Sequence, residues 1–203
     1  MNYDVLHEAE ASFFARYPGG FNNPEMIAIG KKHNVGKLET LARESFAKGN
    51  FSKPGFIVEE AAKLVSRSSM VSVFEKPKFR DYAKSLTPKE KDQFADALYE
   101  LLHGKQEQGF NQLVELLKKH KLAKWTLVSV FPAYYNLQKE VFVKPTTAKL
   151  IVNKLGLDLE YKPTPTWAFY KGYRKAVNEL KKEVDKSLAP SNPAFCGFLM
   201  MSL

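Results

Sequence analysis

The chain has 203 residues, of which 44% are hydrophobic and 13% aromatic, and its formal net charge is +9. This length and composition allow a buried core, which excludes an intrinsically disordered chain. A single cysteine, Cys196, excludes an internal disulfide. No stretch reaches the roughly 18 apolar residues that span a bilayer, and the N-terminal residues do not resemble a secretion signal. We therefore expect a cytoplasmic protein with no membrane partner.

Helix-start signals recur in the first half of the chain. The segment YPGGF predicts a turn between two aromatic anchors, and Asn23 is placed to cap the helix that follows, with Pro24 at its first position and Glu25 in its first turn. The segment KPGFIVEEAAKLVSR predicts another helix. Its inward side is expected to contain Phe56, Ala61 or Ala62, Leu64 and Val65.

The segment LTPKEKDQFADALYELLHG is the strongest helix pattern in the chain. Thr87 and Glu90 form a capping box, and Gly104 is placed to end the helix in a left-handed conformation. The apolar stripe of this helix consists of Phe94, Ala97, Leu98, Leu101 and Leu102. A short helix follows, with Phe110, Leu113, Val114 and Leu117 inward. The turn at 104–109 is where a single compact domain, 1–203, would divide into two helical subdomains.

The segment KWTLVSVFPAYYNLQKEVFVKP is ambiguous. Its β-branched and aromatic residues favour strands, so a small β-hairpin within 125–144 is one interpretation. A buried helix that breaks before Pro132 is the other, and we favour it. Together these elements predict a mainly α fold, a compact bundle of seven to ten helices.

The segment VKPTTAKLIVNKLG begins a helix between positive charges. Thr146 or Thr147 is placed to cap it, Gly156 to end it, and Lys144 and Lys149 flank its start. Unpaired N–H groups and the helix dipole attract anions to such a start. The pattern therefore indicates either ordinary capping or a site for a phosphate or carboxylate.

The segment TPTWAFYKGYRKAVNELKKEVDKSL predicts the longest helix, of about 22 residues, capped by Thr164. At 100° per residue its apolar face holds Phe169, Tyr173, Ala176, Val177, Leu180 and Val184. The opposite face holds Lys171, Arg174, Lys175, Asn178 and Lys182. This outer face is either a solvated surface or a basic stripe.

The positive charge lies in the second half of the chain. Residues 101–203 contain 16 Lys and Arg against 8 Asp and Glu, whereas residues 1–100 contain 15 against 14. This imbalance favours a basic, non-enzymatic protein that binds DNA or RNA, with base stacking by Trp125 or Trp167 if either is exposed. The candidate contacts are Lys144, Thr146, Thr147, Lys149, Lys171, Arg174, Lys175 and Lys182.

The apolar tail, residues 193–203, provides an alternative function. Its large side chains must be covered, either by the core of the chain or by a second copy. The alternative is thus a protein-interaction or homo-oligomerisation module that uses this tail.

No catalytic, metal or nucleotide signature is present. The four histidines are dispersed, Cys196 has no adjacent base, and Asp92, Asp96 and Glu100 fit a solvated acidic face. We expect no catalytic residues, no metal and no cofactor. Because catalytic groups can converge from distant positions, enzymatic activity stays open, with a non-enzyme favoured.

Two segments, YPGGFNNPE and VFVKPTTAKLIVNKLGLDLEYKPTPTWAFYKGYRK, resemble the paired signatures of a set of uncharacterised bacterial proteins. That set shares an aromatic-Pro-Gly-Gly-Phe turn, a Phe-x-Lys-Pro helix start, a Leu-x-Tyr-x-Pro loop and an aromatic helix. The likeness covers about a third of the chain and implies no activity, since none is established for the set. It implies that one recurring unit contains Lys144, Pro145, Tyr161, Pro163, Trp167 and Tyr170.

Overall fold

The structure, a computed structural model, describes residues 1–203 and is 72% helical, with no strand or sheet. The mainly α prediction is confirmed, and no hairpin forms within 125–144. The α-helices are α1 (Tyr3–Arg16), α2 (Pro24–His33), α3 (Val35–Ser45), α4 (Pro54–Arg67), α5 (Glu75–Ser85), α6 (Pro88–His103), α7 (Gln106–Lys118), α8 (Trp125–Tyr135), α9 (Pro145–Lys154), α10 (Trp167–Leu180) and α11 (Asn192–Ser202). Short 3-10 helices lie at Gly20–Asn22, Lys48–Ser52 and Lys186–Leu188.

The caps of α2 and α6 form as the sequence predicts. The Asn23 side chain accepts a hydrogen bond from the Glu25 backbone N–H at 3.0 Å. At α6, the Thr87 backbone N–H donates to the Glu90 carboxylate at 2.9 Å, and the Glu90 N–H donates to the Thr87 hydroxyl at 3.4 Å. These contacts satisfy N–H groups that have no partner inside the helix, which fixes both helix starts.

The inward face of α4 differs from the predicted one. Phe56 is 38% exposed, whereas Ile57, Ala61, Leu64 and Val65 are buried. The apolar stripe therefore begins one residue later than expected. The prediction for Phe56 was wrong. Phe56 and Ile57 are both apolar and consecutive, and the helical period of the stripe allows either residue to be its first inward position.

Helices α6 and α7 form a closely packed pair joined by a short turn. Gly104 has φ −118°, so its predicted left-handed conformation is wrong. The turn is closed instead by the Lys105 backbone N–H, which donates to the Glu100 carboxylate at 2.6 Å. Gly109 permits the close approach, because backbone atoms of Leu101 lie where its Cβ would be. The division into subdomains at this turn stays a prediction.

Helix α8 runs through the middle of the core. Ten of its eleven residues are buried, so the helical interpretation is confirmed, whereas the break before Pro132 is wrong. Tertiary packing on all sides outweighs the lost backbone hydrogen bond. Buried Ser129 links α8 to the chain before α9: its hydroxyl donates to the Trp125 carbonyl at 2.7 Å and accepts from the Val143 N–H at 2.9 Å.

Aromatic side chains fill a single core of 56 buried residues. Phe46, Phe79 and Phe94 each have a ring centroid within 6.1 Å of the Phe131 ring of α8. At the other end of α8, Trp125 lies 5.1 Å from Phe169 of α10. The core is thus organised around α8.

The C-terminal helices complete the fold. Helix α10 begins after Thr166 and has 14 residues, so both the Thr164 cap and the length of about 22 residues were wrong. The predicted apolar face is confirmed, with Phe169, Tyr173, Ala176, Val177, Leu180 and Val184 all buried. Helix α11 packs against α1, where the Phe13 and Phe198 rings meet edge to face at 5.3 Å.

No helix combines the length and the apolar character required to cross a membrane.

Candidate functional site

The start of α9 lies where a buried segment reaches the surface. Residues 141–143 are buried, Lys144 is the N-cap, and Pro145 occupies the first helical position. The prediction that Thr146 or Thr147 caps α9 is wrong, because proline suits the first helical position and moves the helix start ahead of both threonines. No side chain accepts a hydrogen bond from the first turn. Its N–H groups are therefore available to an anion.

A cavity of about 380 Å³ opens beside this helix start. Its walls come from α2, the connection after α4, the start of α9 and one side of α11. The large apolar side chains in its lining include Phe21, Met26, Ile29, Met70, Phe142 and Met201. The polar side chains are His33, Ser69, Lys144, Thr147 and Ser191. The volume lies within the range of roughly 300–1,000 Å³ that is typical of small-molecule sites.

Two glycines inside helices widen this cavity. Gly30 of α2 and Gly197 of α11 both line it, and no atom lies within 4 Å of a Cβ built at either position. A glycine inside a helix costs roughly 1 kcal/mol relative to alanine. Keeping glycine at positions 30 and 197 therefore lowers the stability of the fold, and alanine at either position would restore part of that stability.

Two pairs of polar groups reach the cavity. Lys144 and Thr147 are three residues apart at the start of α9 and line the same wall. His33 Nδ1 lies 2.7 Å from the Ser69 hydroxyl. No third side chain hydrogen-bonds to the His33 ring and both residues are exposed, so this pair lacks the group that orients the base in a hydrolytic triad. Sequence analysis missed the pair because 36 positions separate its members.

Cys196 contributes a thiol to the cavity wall. Burial raises the pKa of Cys196 to about 11, although the Tyr173 hydroxyl, 3.8 Å away, and Lys181 act in the opposite direction. At neutral pH this group is therefore a thiol rather than a thiolate. It behaves as a small apolar side chain toward a ligand.

Both segments that carry the sequence resemblance line this cavity. The YPGGF turn contributes Phe21, which is positioned by left-handed conformations at Gly19 (φ 84°) and Gly20 (φ 60°). The Phe-x-Lys-Pro start contributes Phe142 and Lys144. Two segments that are more than a hundred residues apart thus form parts of one wall.

The predicted anion-contacting residues of α9 have different surroundings. Lys144 is exposed, whereas Thr147 is buried at 7% exposure. Thr146 is exposed, as is Lys149, whose Nζ lies 5.3 Å from the centroid of the Tyr161 ring. Of this set, only Lys144 and Thr147 line the cavity.

The predicted basic stripe of α10 is interrupted. Lys171 and Lys175 are exposed, and so is Lys182 just after the helix. Lys175 approaches Glu179 at 3.9 Å, a loose surface pair. Arg174 does not share this exposed face, because its guanidinium forms an inward ion pair.

The partner of Arg174 is Glu140, a carboxylate that is buried at 7% exposure. Glu140 accepts hydrogen bonds from Arg174 at 2.8 and 2.9 Å, from the Tyr170 hydroxyl at 2.8 Å and from the Gln106 amide at 3.0 Å. Burial, followed by the Glu140 charge, raises the pKa of Tyr170 well above its usual value. The Arg174 guanidinium also lies 5.6 Å from the Trp167 ring. This network joins α7 and α10 to the segment before α9.

A second set of contacts fixes the same segment from the other side. The Asn192 amide donates to the Glu140 carbonyl at 3.0 Å, and the Asn192 backbone N–H donates to the Leu137 carbonyl at 2.8 Å. Lys181 Nζ donates to the Gln138 carbonyl at 2.7 Å. The chain that leads to Lys144 is thus held by both α10 and α11.

Neither tryptophan is an exposed stacking platform. Trp125 is buried at 1% exposure, and its indole N–H donates to the Lys162 carbonyl at 2.7 Å. Trp167 is half-buried, with the Arg174 guanidinium near its ring.

The apolar tail contributes to the core of its own chain. Phe195, Phe198 and Leu199 are fully buried, whereas Met200 is 46% exposed. An oligomer formed through residues 193–203 would therefore rely on the remaining exposed surface of α11, and it stays a prediction.

No group of three or more His, Cys, Asp or Glu side chains comes together in an arrangement able to hold a metal ion. Comparison with known proteins gives no match to a family model, to a curated protein or to a solved structure.

Proposed function

We propose that the protein binds a small amphipathic anion, such as a medium-chain carboxylate, in the cavity bounded by α2, α9 and α11. One observation carries this proposal: the same cavity has an apolar wall and, beside Lys144, the uncapped start of α9. Free N–H groups and an ammonium attract an anionic head. An apolar wall of this extent favours a hydrocarbon body over a polar ligand such as a sugar.

The two ends of the ligand contribute in different ways. Each methylene group that leaves water contributes roughly 0.8 kcal/mol, and a charge-assisted hydrogen bond roughly 1.5–3 kcal/mol. Flexible methionines, Met26, Met70, Met200 and Met201, line the apolar part and can adapt to chains of different shape. We therefore expect recognition of the class of ligand rather than of one compound.

Isothermal titration calorimetry tests this proposal with decanoate and with decanol, which has a chain of the same length and no charge. Decanoate is expected to bind more tightly than decanol. Lys144→Met is expected to weaken decanoate binding about tenfold or more while leaving decanol unchanged. Lys149→Met, in the same helix but outside the cavity lining, is the matched control. Equal effects of the two substitutions, or no binding of decanoate, would contradict the proposal.

A second candidate function is the binding of DNA or RNA by the C-terminal half. Exposed Lys144, Lys149, Lys171, Lys175 and Lys182 support it, of which only Lys175 has an acidic side chain within 4 Å. Arg174 is a weaker candidate contact, since Glu140 neutralises its charge. Contacts would be to phosphates and largely independent of sequence. The single cysteine fits the expectation of a reducing, cytoplasmic environment.

Fluorescence anisotropy at two salt concentrations tests this second candidate with duplex DNA, single-stranded DNA and RNA. Affinity is expected to fall with salt, by a slope of about −0.9 per phosphate contact on duplex DNA. Lys171→Glu with Lys175→Glu should weaken binding, while Lys144→Met should leave most of it intact. Absence of binding to all three nucleic acids at low salt would exclude this candidate without affecting the cavity proposal.

A further inference from the structure

The turn between α4 and α5 carries two apolar side chains into solvent. Val73 is 70% exposed and Phe74 is 77% exposed, more than any other large apolar residue of the chain. The two residues are consecutive in the chain, and together they are called the apolar tip below. A phenylalanine in water forgoes the stabilisation of burial, so a surface that covered this tip would gain apolar contact area.

The exposure of this tip does not reflect a loosely held loop. Val71 is buried at 3% exposure and anchors the turn in the core. The Ser72 carbonyl accepts hydrogen bonds from the backbone N–H groups of Glu75 at 3.0 Å and Lys76 at 3.2 Å, and the Ser72 hydroxyl accepts from the Phe74 N–H at 3.3 Å. The backbone therefore holds Phe74 outward in a fixed position.

The surroundings of the tip are basic. Lys78 follows Phe74 by four residues, one helical turn, and is exposed. The carboxylate of Glu75, the one acid beside the tip in sequence, accepts a hydrogen bond from the Thr126 hydroxyl of α8 at 2.6 Å. That contact places Thr126, near the start of α8, beside Glu75, and the exposed Lys124 lies two residues before Thr126 in the chain. Neither lysine forms an ion pair, in contrast to Arg80, which pairs with Asp81 at 3.5 Å.

We propose that the Val73–Phe74 tip docks the protein on an anionic lipid surface, with Lys78 and Lys124 at the level of the head groups. An apolar tip with unpaired lysines nearby suits a membrane surface. The lysines can contact the anionic head groups while the tip enters the hydrocarbon beneath them. A protein partner would instead require a concave pocket to receive the tip. This proposal departs from the sequence-based expectation of no membrane partner, but only for contact with the membrane surface. It does not depend on the cavity ligand.

Sedimentation with vesicles tests the docking, using full-length protein with phosphatidylcholine alone and with phosphatidylcholine containing phosphatidylserine. Binding is expected to the mixed vesicles and to weaken as salt is raised. Val73→Ser with Phe74→Ser should weaken the binding at least about tenfold, and Lys78→Glu with Lys124→Glu about tenfold or more. In Phe74→Trp, lipids with brominated acyl chains should quench the new indole fluorescence.

Two matched controls make this outcome specific. Ile27→Ser removes another exposed apolar side chain, 43% exposed in α2, and should leave vesicle binding unchanged. Lys171→Glu with Lys175→Glu changes the net charge equally at a different surface and should have the smaller effect. The proposal is overturned if the serine variant binds as the wild type does, or if the α10 charges matter more than Lys78 and Lys124. It is also overturned if the folded protein does not bind anionic vesicles at low salt, or if the serine substitutions abolish self-association of the protein and leave vesicle binding unchanged.

Discussion

Arg174 Nη1 lies 2.8 Å from Oε1 and 2.9 Å from Oε2 of Glu140, and the two side chains are only 16% and 9% exposed. Removing either charge leaves the other buried without compensation. We expect Arg174→Met to lower the free energy of unfolding by roughly 3–5 kcal/mol in urea denaturation. Arg43→Met, which removes a surface pair with Glu39, should cost less than about 1 kcal/mol.

The double variant separates the ion pair from the packing around it. Arg174→Met with Glu140→Leu should cost clearly less than the sum of the two single substitutions, because no lone charge remains. Additive losses would show that the two charges are not coupled. A cost for Arg174→Met no larger than that for Arg43→Met would show that the pair is not withdrawn from solvent.

Ser129 is expected to be a stability determinant although it is a small residue. Ser129→Ala leaves the Val143 N–H without its hydrogen-bond acceptor in the fully buried interior, at a cost of roughly 1–3 kcal/mol. Ser52→Ala is a control, since its hydroxyl hydrogen-bonds at the exposed surface. Thermal unfolding of both variants measures the difference. Equal melting temperatures would contradict the prediction.

Gly197 and Gly109 should respond in opposite ways to a methyl group. Gly197→Ala is expected to raise the free energy of unfolding by roughly 0.5–1 kcal/mol, because the new Cβ meets no atom within 4 Å and α11 gains helix propensity. Gly109→Ala forces α6 and α7 apart and should be strongly destabilising.

Gly197→Leu should stay folded, fill the cavity and abolish decanoate binding. Unchanged binding would place the ligand elsewhere.

The stability of the fold should decrease at alkaline pH. Burial raises the pKa of Cys196 from about 9 to about 11. The unfolded thiol therefore loses its proton first as pH rises, and the free energy of unfolding falls between about pH 9 and 11, by an amount on the order of 1–3 kcal/mol. Below about pH 9 this contribution is fully present.

Urea denaturation across this window measures the effect, and Cys196→Ala is the control that lacks the thiol. The variant should lose part of the alkaline dependence. The remaining dependence should come from buried tyrosines such as Tyr82. Burial, followed by the Glu90 charge, raises the pKa of Tyr82 to about 12. The same pH profile in both proteins would mean that Cys196 titrates alike in the folded and unfolded states.

Local sequence rules were sufficient where neighbouring residues determine the structure. The capping box of Thr87 and Glu90 depends on residues three apart, and it forms as expected. The same rules failed at Pro132, where packing on all sides of α8 preserves the helix. The same rules also failed at Thr147. Pro145 occupies the first position of α9, so the helix has already begun when the chain reaches Thr147.

The candidate site was only partly predictable. A lysine-flanked helix start pointed to Lys144, and the apolar tail indicated a segment that needs covering. The cavity itself arises from the juxtaposition of Phe21, Phe142 and Gly197, which are distant in sequence. Arg174 was assigned to an outer face because helical periodicity does not reveal that the Glu140 carboxylate, 34 positions earlier, lies beside it.

The packing of α11 on α1 has a consequence for biosynthesis. Phe13 of α1 finds its edge-to-face partner in Phe198 of α11, and the Asp185 backbone N–H donates to the Glu10 carboxylate at 2.6 Å. Translation proceeds from the N-terminus, so α11 emerges only after α1 through α10 have been made. Until then the apolar side of α1, with Leu6, Ala9 and Phe13, lacks the cover that α11 provides. The final packing of α1 therefore waits until α11 has been synthesised.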